Sequence, residues 1–201
     1  MSNIRYFEER QKLAKYMKQL FDRNLTNAAG GNAAVRIDDK YIIVTPSMMS
    51  EYKHCEITAA DILLCDYDLN IIEGEGVLSR ECKMHAKLMK NIPEINAVIH
   101  AHPEYTMVFV AANKPIPSVT EATLKMGDCM PIEQARAYSQ DLADHVYNYF
   151  KDKREILKIS GLCALLPYHG TVAVGKHLDQ AFSVVERIEC DAKCNLFGKL
   201  I

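Results

Sequence analysis

"NAVIHAHPEYT", residues 96–106, closes an apolar run with two histidines one residue apart. NAVIHA reads as a strand. Pro103 then suits the first turn of a helix reaching about Ala112, where the missing N–H costs nothing. Residues i and i+2 of a strand share a face, roughly 6.5–7 Å apart at the backbone. His100 and His102 can therefore converge on one cation, with Ala101 on the other face.

Working outward, AVRI and KYIIVT, joined by Asp38-Asp39, read as a hairpin. DILLCD and NIIEGEG form a second pair around Asp66–Leu69. Helical periodicity runs through residues 4–23 (Leu13, Tyr16, Met17, Leu20, Phe21), ECKMHAKLMKN, residues 133–151, and from about Leu178 to Phe197. Ser79 can cap the second of these, and Pro93 falls just past its end. NKPIPS is a loop that leads to a short strand near Val119 and the irregular run TEATLKMGDCMP. CALLPYHGTVAVG is a strand, a break at His169-Gly170, and another strand. Hairpin-paired strands interleaved with helices predict an α/β sandwich with a largely antiparallel sheet, in one domain over residues 1–201.

Composition narrows the function. Hydrophobic residues make up 49% of the chain, enough for a sizeable core. A net charge of −2 without a basic block argues against nucleic acid, whose phosphates need clustered Lys and Arg. No apolar stretch approaches the roughly 20 residues that span a bilayer, and MSNIRYFEERQKL lacks the apolar core of a secretory signal. The seven cysteines are odd in number and include no Cys-x-x-Cys pair. They are expected to be small buried hydrophobes in a reducing, cytoplasmic protein.

A lone His-x-His is explained by packing or chance more often than by a metal. His169 changes the balance, because it too ends an apolar strand and precedes a glycine that lets the backbone turn. Three imidazoles with an open fourth position are the ligand set of a catalytic zinc. His54, His145 and His177 sit in polar contexts and read as surface residues. His85, one helical turn after Glu81, supports the site or simply packs. Glu81, in the first turn of its helix, is an ordinary end-of-helix carboxylate; beside a metal it is a candidate ligand or base.

Ser79-x-Glu81, His100-x-His102 and His169-Gly170, with Gly31-Asn32 and Thr45-Pro46-Ser47, resemble the class II aldolase/adducin family over nearly the whole chain. The resemblance implies a three-layer α/β/α fold with a central, mainly antiparallel sheet. It also implies a homotetramer with active sites between subunits. His100, His102 and His169 would ligate zinc, with manganese or cobalt open to the same imidazoles, and Glu81 would be acid/base and ligand of the empty metal. Gly31, Asn32, Ser47 and Ser79 would cradle a substrate phosphate, since small residues present amides and hydroxyls without a lysine. Arg80 stands where family aldolases have serine; it adds charge to that pocket or points to solvent. The proton donor that these aldolases take from a neighbouring subunit aligns near Glu121.

The activity implied is cleavage of L-fuculose 1-phosphate, or a similar deoxyketose 1-phosphate, to dihydroxyacetone phosphate and an aldehyde. Zinc would stabilise the enediolate. Epimerisation and dehydration are the alternatives within the family, although the epimerase acid falls at Thr123. Cytoskeletal members lack the metal site that is intact here.

Overall fold

The computed structural model describes residues 4–201. In chain order its elements are α1 (Phe7–Asp22), β1 (Asn32–Arg36), β2 (Tyr41–Val44), α2 (Met49–Lys53), β3 (Leu63–Asp66), β4 (Ile71–Glu73), α3 (Cys82–Asn91), β5 (Ala97–Ala101), α4 (Thr106–Ala112), α5 (Glu121–Leu124), α6 (Gln140–Lys151), α7 (Arg154–Leu157), β6 (Leu162–Leu166), β7 (Gly170–Gly175) and α8 (Leu178–Phe197). The strands form one seven-stranded sheet in the order β4-β3-β2-β1-β5-β7-β6. Every pairing is antiparallel. The two expected hairpins form, and each turn is closed by an aspartate. Asp38 accepts from the amides of Lys40 and Tyr41, and Asp66 from those of Asp68 and Asn70.

All of β5 is buried, because helices cover both faces of the sheet there. A strand covered on both sides reads as a continuous apolar run rather than an alternation. A Cβ on Gly175 would meet the backbone of Ala181 on α8, and Gly175 pairs with Ala97. The Ala97, Ile99 and Ala101 face therefore lies under α8. Tyr16 of α1 joins this layer, donating to Asp179 and meeting the Phe182 ring edge-on at 4.9 Å. Val98 and His100 face the other way. That side belongs to α3, which contacts β1 and carries α6 against itself.

Three local expectations need correction. The helix expected over residues 133–151 begins only at Gln140, where the Ser139 hydroxyl accepts from the Leu142 amide at 3.0 Å. The short strand expected near Val119 is absent; Ile116 bridges Cys129, and the helix α5 follows Thr120. α3 starts at Cys82, so Glu81 occupies its N-cap position rather than its first turn, and Ser79 accepts from the Glu81 amide at 3.3 Å. All seven cysteines are free thiols, and five are buried. No helix among the described residues is long and apolar enough to cross a membrane.

Candidate functional site

The site forms where β5 ends and β7 begins, beside the N-terminus of α3. His100 sits opposite Asn32 on β1 and Val172 on β7, so its ring and Asn32 share the α3 face. His100 Nδ1 donates to the Thr171 carbonyl at 2.8 Å. That bond fixes the tautomer and leaves Nε2 with a free lone pair. His102 lies just past the strand, between two glycines. A Cβ on Gly170 would stand 2.4 Å from its Cδ2, and one on Gly30 would stand 2.6 Å from its Cε1. His169 closes the tight turn from β6 to β7, which Tyr168 enters at φ +61°. The chain thus brings together three rings distant in sequence. The His100 ring centroid is 4.8 Å from that of His102 and 4.7 Å from that of His169. One nitrogen from each ring lies within 4.8 Å of the others.

Burial keeps these imidazoles neutral. The His102 pKa is lowered to about 4 by burial and by His169. His100 is pushed well below its ordinary value by burial and by its two neighbours, and His169 is lowered by burial. Neutral rings are the form that binds a metal. Glu81, 2% exposed, has its Oε1 3.5 Å from His169 Nε2. With His169 neutral this is a contact, not an ion pair. Burial raises the Glu81 pKa to about 7, against the pull of Arg80.

Both nitrogens of His102, Nδ1 of His169 and Oε1 of Glu81 are buried without hydrogen-bond partners. Buried polar groups are normally paired. Orphaned ring nitrogens beside an orphaned carboxylate oxygen fit a divalent cation, which would take one nitrogen from each imidazole.

The phosphate-type residues line the same cavity, of about 280 Å³: Gly31, Asn32, Ser47, Ser79 and Arg80 with Glu81 and the three histidines. Gly31 adopts φ +113°, and a Cβ there would meet Thr26 Oγ1 at 2.5 Å, so no other residue fits without strain. Thr26 donates to the Gly30 carbonyl and pins the loop. Asn32 turns its side-chain oxygen to His85 Nε2 on α3, 2.5 Å away.

The sequence did not point to Tyr138 or Tyr168, nor to Ser50 and Glu51, which also line the cavity. Tyr138, at φ +68°, offers its ring face to Arg80, whose guanidinium carbon lies 3.8 Å from the centroid. Its ring meets that of His169 edge-on at 6.2 Å. Tyr168 lines the rim and is exposed. The sequence carried one usable signal for Tyr138: Ser139 is a good N-cap residue, which would have ended the predicted helix there and left the tyrosine in a loop. Glu121 is exposed on α5 and is not among the residues lining the cavity. His54 and His177 are exposed and His145 half-buried, none of them near the cluster.

The model of the Class II Aldolase and Adducin N-terminal domain matches residues 11–196. The L-fuculose phosphate aldolase of Methanococcus maripaludis is 31% identical over 182 residues, covering 90% of this chain and 92% of its own. The 5-deoxy-D-ribulose 1-phosphate aldolase of Bacillus thuringiensis is 27% identical over 186 residues, covering 90% and 81%. Among solved structures, an L-fuculose 1-phosphate aldolase superposes with a TM-score of 0.79 at 29% identity, covering all of this chain and 90% of its own.

Proposed function

The chain belongs to the class II aldolase and adducin family, and from that premise we propose that it is a divalent-metal-dependent aldolase. It cleaves a deoxyketose 1-phosphate, L-fuculose 1-phosphate or a deoxypentulose 1-phosphate, to dihydroxyacetone phosphate and a short aldehyde. One observation carries the reading: three neutral imidazoles and a buried carboxylate share a cavity with a glycine-bearing loop, Ser47 and Ser79. The relatives named for such substrates support the substrate class.

His100, His102 and His169 would hold the ion, with Glu81 as a further ligand before substrate enters. Zinc suits three imidazoles with an open position, and manganese or cobalt would be accepted too. When bound, the ion supplies Lewis-acid polarisation of the substrate's oxygens. The remaining chemistry belongs to the chain. Gly31, Asn32, Ser47 and Ser79 hold the phosphate, and Arg80, braced on Tyr138, adds positive charge. Cleavage breaks the bond between C3 and C4, the C4 hydroxyl loses its proton, and C3 needs one. Glu81 would deliver that proton, since its buried carboxyl lines the cavity beside the three imidazoles and burial favours its protonated form. Glu121 takes the hydroxyl proton only if α5 of one subunit faces a neighbour's cavity, as in a homotetramer with sites between subunits. Seven free thiols support a cytoplasmic setting.

The test is a panel of ketose 1-phosphates given to zinc-loaded protein, with products followed by NMR. Dihydroxyacetone phosphate and an aldehyde are expected from a deoxyketose 1-phosphate. Unchanged carbon number would mean epimerisation or dehydration, and no turnover across the panel would defeat the proposal.

A further inference from the structure

α3 presents two side chains to the site one helical turn apart. Glu81 faces His169, and His85 faces Asn32. His85 is completely buried yet makes a single hydrogen bond, from Nε2 to Asn32 Oδ1; its Nδ1 has no partner. The two ends of the ring differ in what they can tolerate. A proton at Nδ1 would be a buried donor with no acceptor, and stranded donors are the rarer defect in folded chains. The proton therefore sits on Nε2 and is donated to the Asn32 oxygen.

Asn32 follows from that. Its oxygen is held toward α3, and its NH2 group finds no partner among the described residues and is not sealed from solvent. Asn32 lines the cavity, so the free donors of its amide are what the cavity receives. The opposite flip would offer an oxygen to the cavity, where a phosphate oxygen would be repelled.

We propose that His85 is a positioning residue: its Nε2–H locks the carboxamide of Asn32 so that the NH2 group, not the oxygen, faces the phosphate of the substrate. The inference rests on the phosphate reading of the cavity given above. It assigns no contact between His85 and substrate. Through α3 it ties the anion-holding end of the cavity to the acid/base end, because one helix fixes both Asn32 and Glu81.

Inorganic phosphate titrated into the zinc-loaded protein provides the test. His85→Leu removes the donor and should weaken phosphate binding about tenfold, while zinc content stays unchanged. The KM of a phosphorylated substrate should rise by a similar factor with a much smaller change in kcat. His85→Gln, whose amide can donate to the same oxygen, should recover most of the loss. Asn32→Asp, which offers the cavity a carboxylate oxygen, should abolish binding. Equal phosphate affinity in wild type and His85→Leu would overturn the role of His85 and leave the phosphate reading intact. A wild-type protein that does not bind phosphate, or a phosphate indifferent to both substitutions, would overturn the phosphate reading and this inference with it. Should the leucine variant fail to fold, nitrogen-15 NMR of the wild-type imidazoles decides: a proton on Nε2 of His85 supports the lock, and one on Nδ1 overturns it.

Discussion

At the scale of single residues, the environment of Glu81 sets two expectations. Replacing it with glutamine should lower kcat by about 10²- to 10⁴-fold, the usual worth of a positioned acid/base. The imidazole ligands would remain and metal should stay bound. The second expectation concerns the metal-free protein. Burial raises the Glu81 pKa to about 7, while the unfolded chain titrates near 4.3. Between those values the folded state holds a proton that the unfolded chain has released. The group's stabilising contribution is present below the lower value and is lost as pH rises through about 7. Metal-free Glu81→Gln should thus resist urea better than wild type at about pH 8, and match it near pH 4. A less stable variant at the higher pH would contradict the buried, partnerless carboxyl. Tyr138 invites a paired comparison. Tyr138→Phe keeps the ring face under Arg80, whereas Tyr138→Leu removes an interaction worth about 1 kcal/mol. KM should rise about fivefold for the leucine variant alone, by that same 1 kcal/mol; equal values would detach the pair from substrate binding.

The elements explain why some of this was legible in the sequence. His100 and His102 were readable because a strand repeats every two residues, and the hairpins because their turns carry aspartates that close them. Glu81 and His85 were readable as a pair one helical turn apart. Tyr138 and Tyr168 were not, since both occupy loop positions with positive φ, and no periodicity encodes where such a side chain points. The same gap moved the start of α6: residues 133–139 continue a helix-like composition, but the backbone turns at Tyr138, φ +68°, and the Ser139 hydroxyl caps the helix that follows. Ser139→Ala should cost about 1 kcal/mol of stability, measured by denaturant unfolding. The turn beside β7 has less tolerance. Gly170→Ala would drive a Cβ against His102 and the Ala101 carbonyl, 2.4 and 2.9 Å away. It should weaken zinc binding by about ten- to a hundredfold, the range seen when a ligand loses its support, and unchanged affinity would show that His102 is free to move aside.

For the molecule as a whole, the sheet serves as a frame that brings the ends of β1, β5 and β7 to the first turn of one helix. The burial that makes the frame rigid also holds its histidines neutral, His85 with a pKa of about 3 and His102 with one of about 4. Each is depressed below the value of the unfolded chain, so its stabilising contribution is present above about pH 6.5 and is lost as pH falls toward the folded value. The metal-free protein should therefore unfold at progressively lower urea concentration as pH falls below about 6.5, and metal should leave before the fold does. The proposed assembly predicts a particle of four times the 22.7 kDa chain mass in solution. Glu121→Gln should impair activity only where such an assembly forms; activity in a monomer with that dependence would contradict it.

The proposed activity rests on three imidazoles meeting around one ion. Zinc titrated into metal-stripped protein, followed by calorimetry, tests that most directly. About one equivalent should bind tightly per chain, with binding lost in His100→Ala, His102→Ala and His169→Ala alike. Absence of tight binding in the wild type, or binding that survives His169→Ala undiminished, would contradict it.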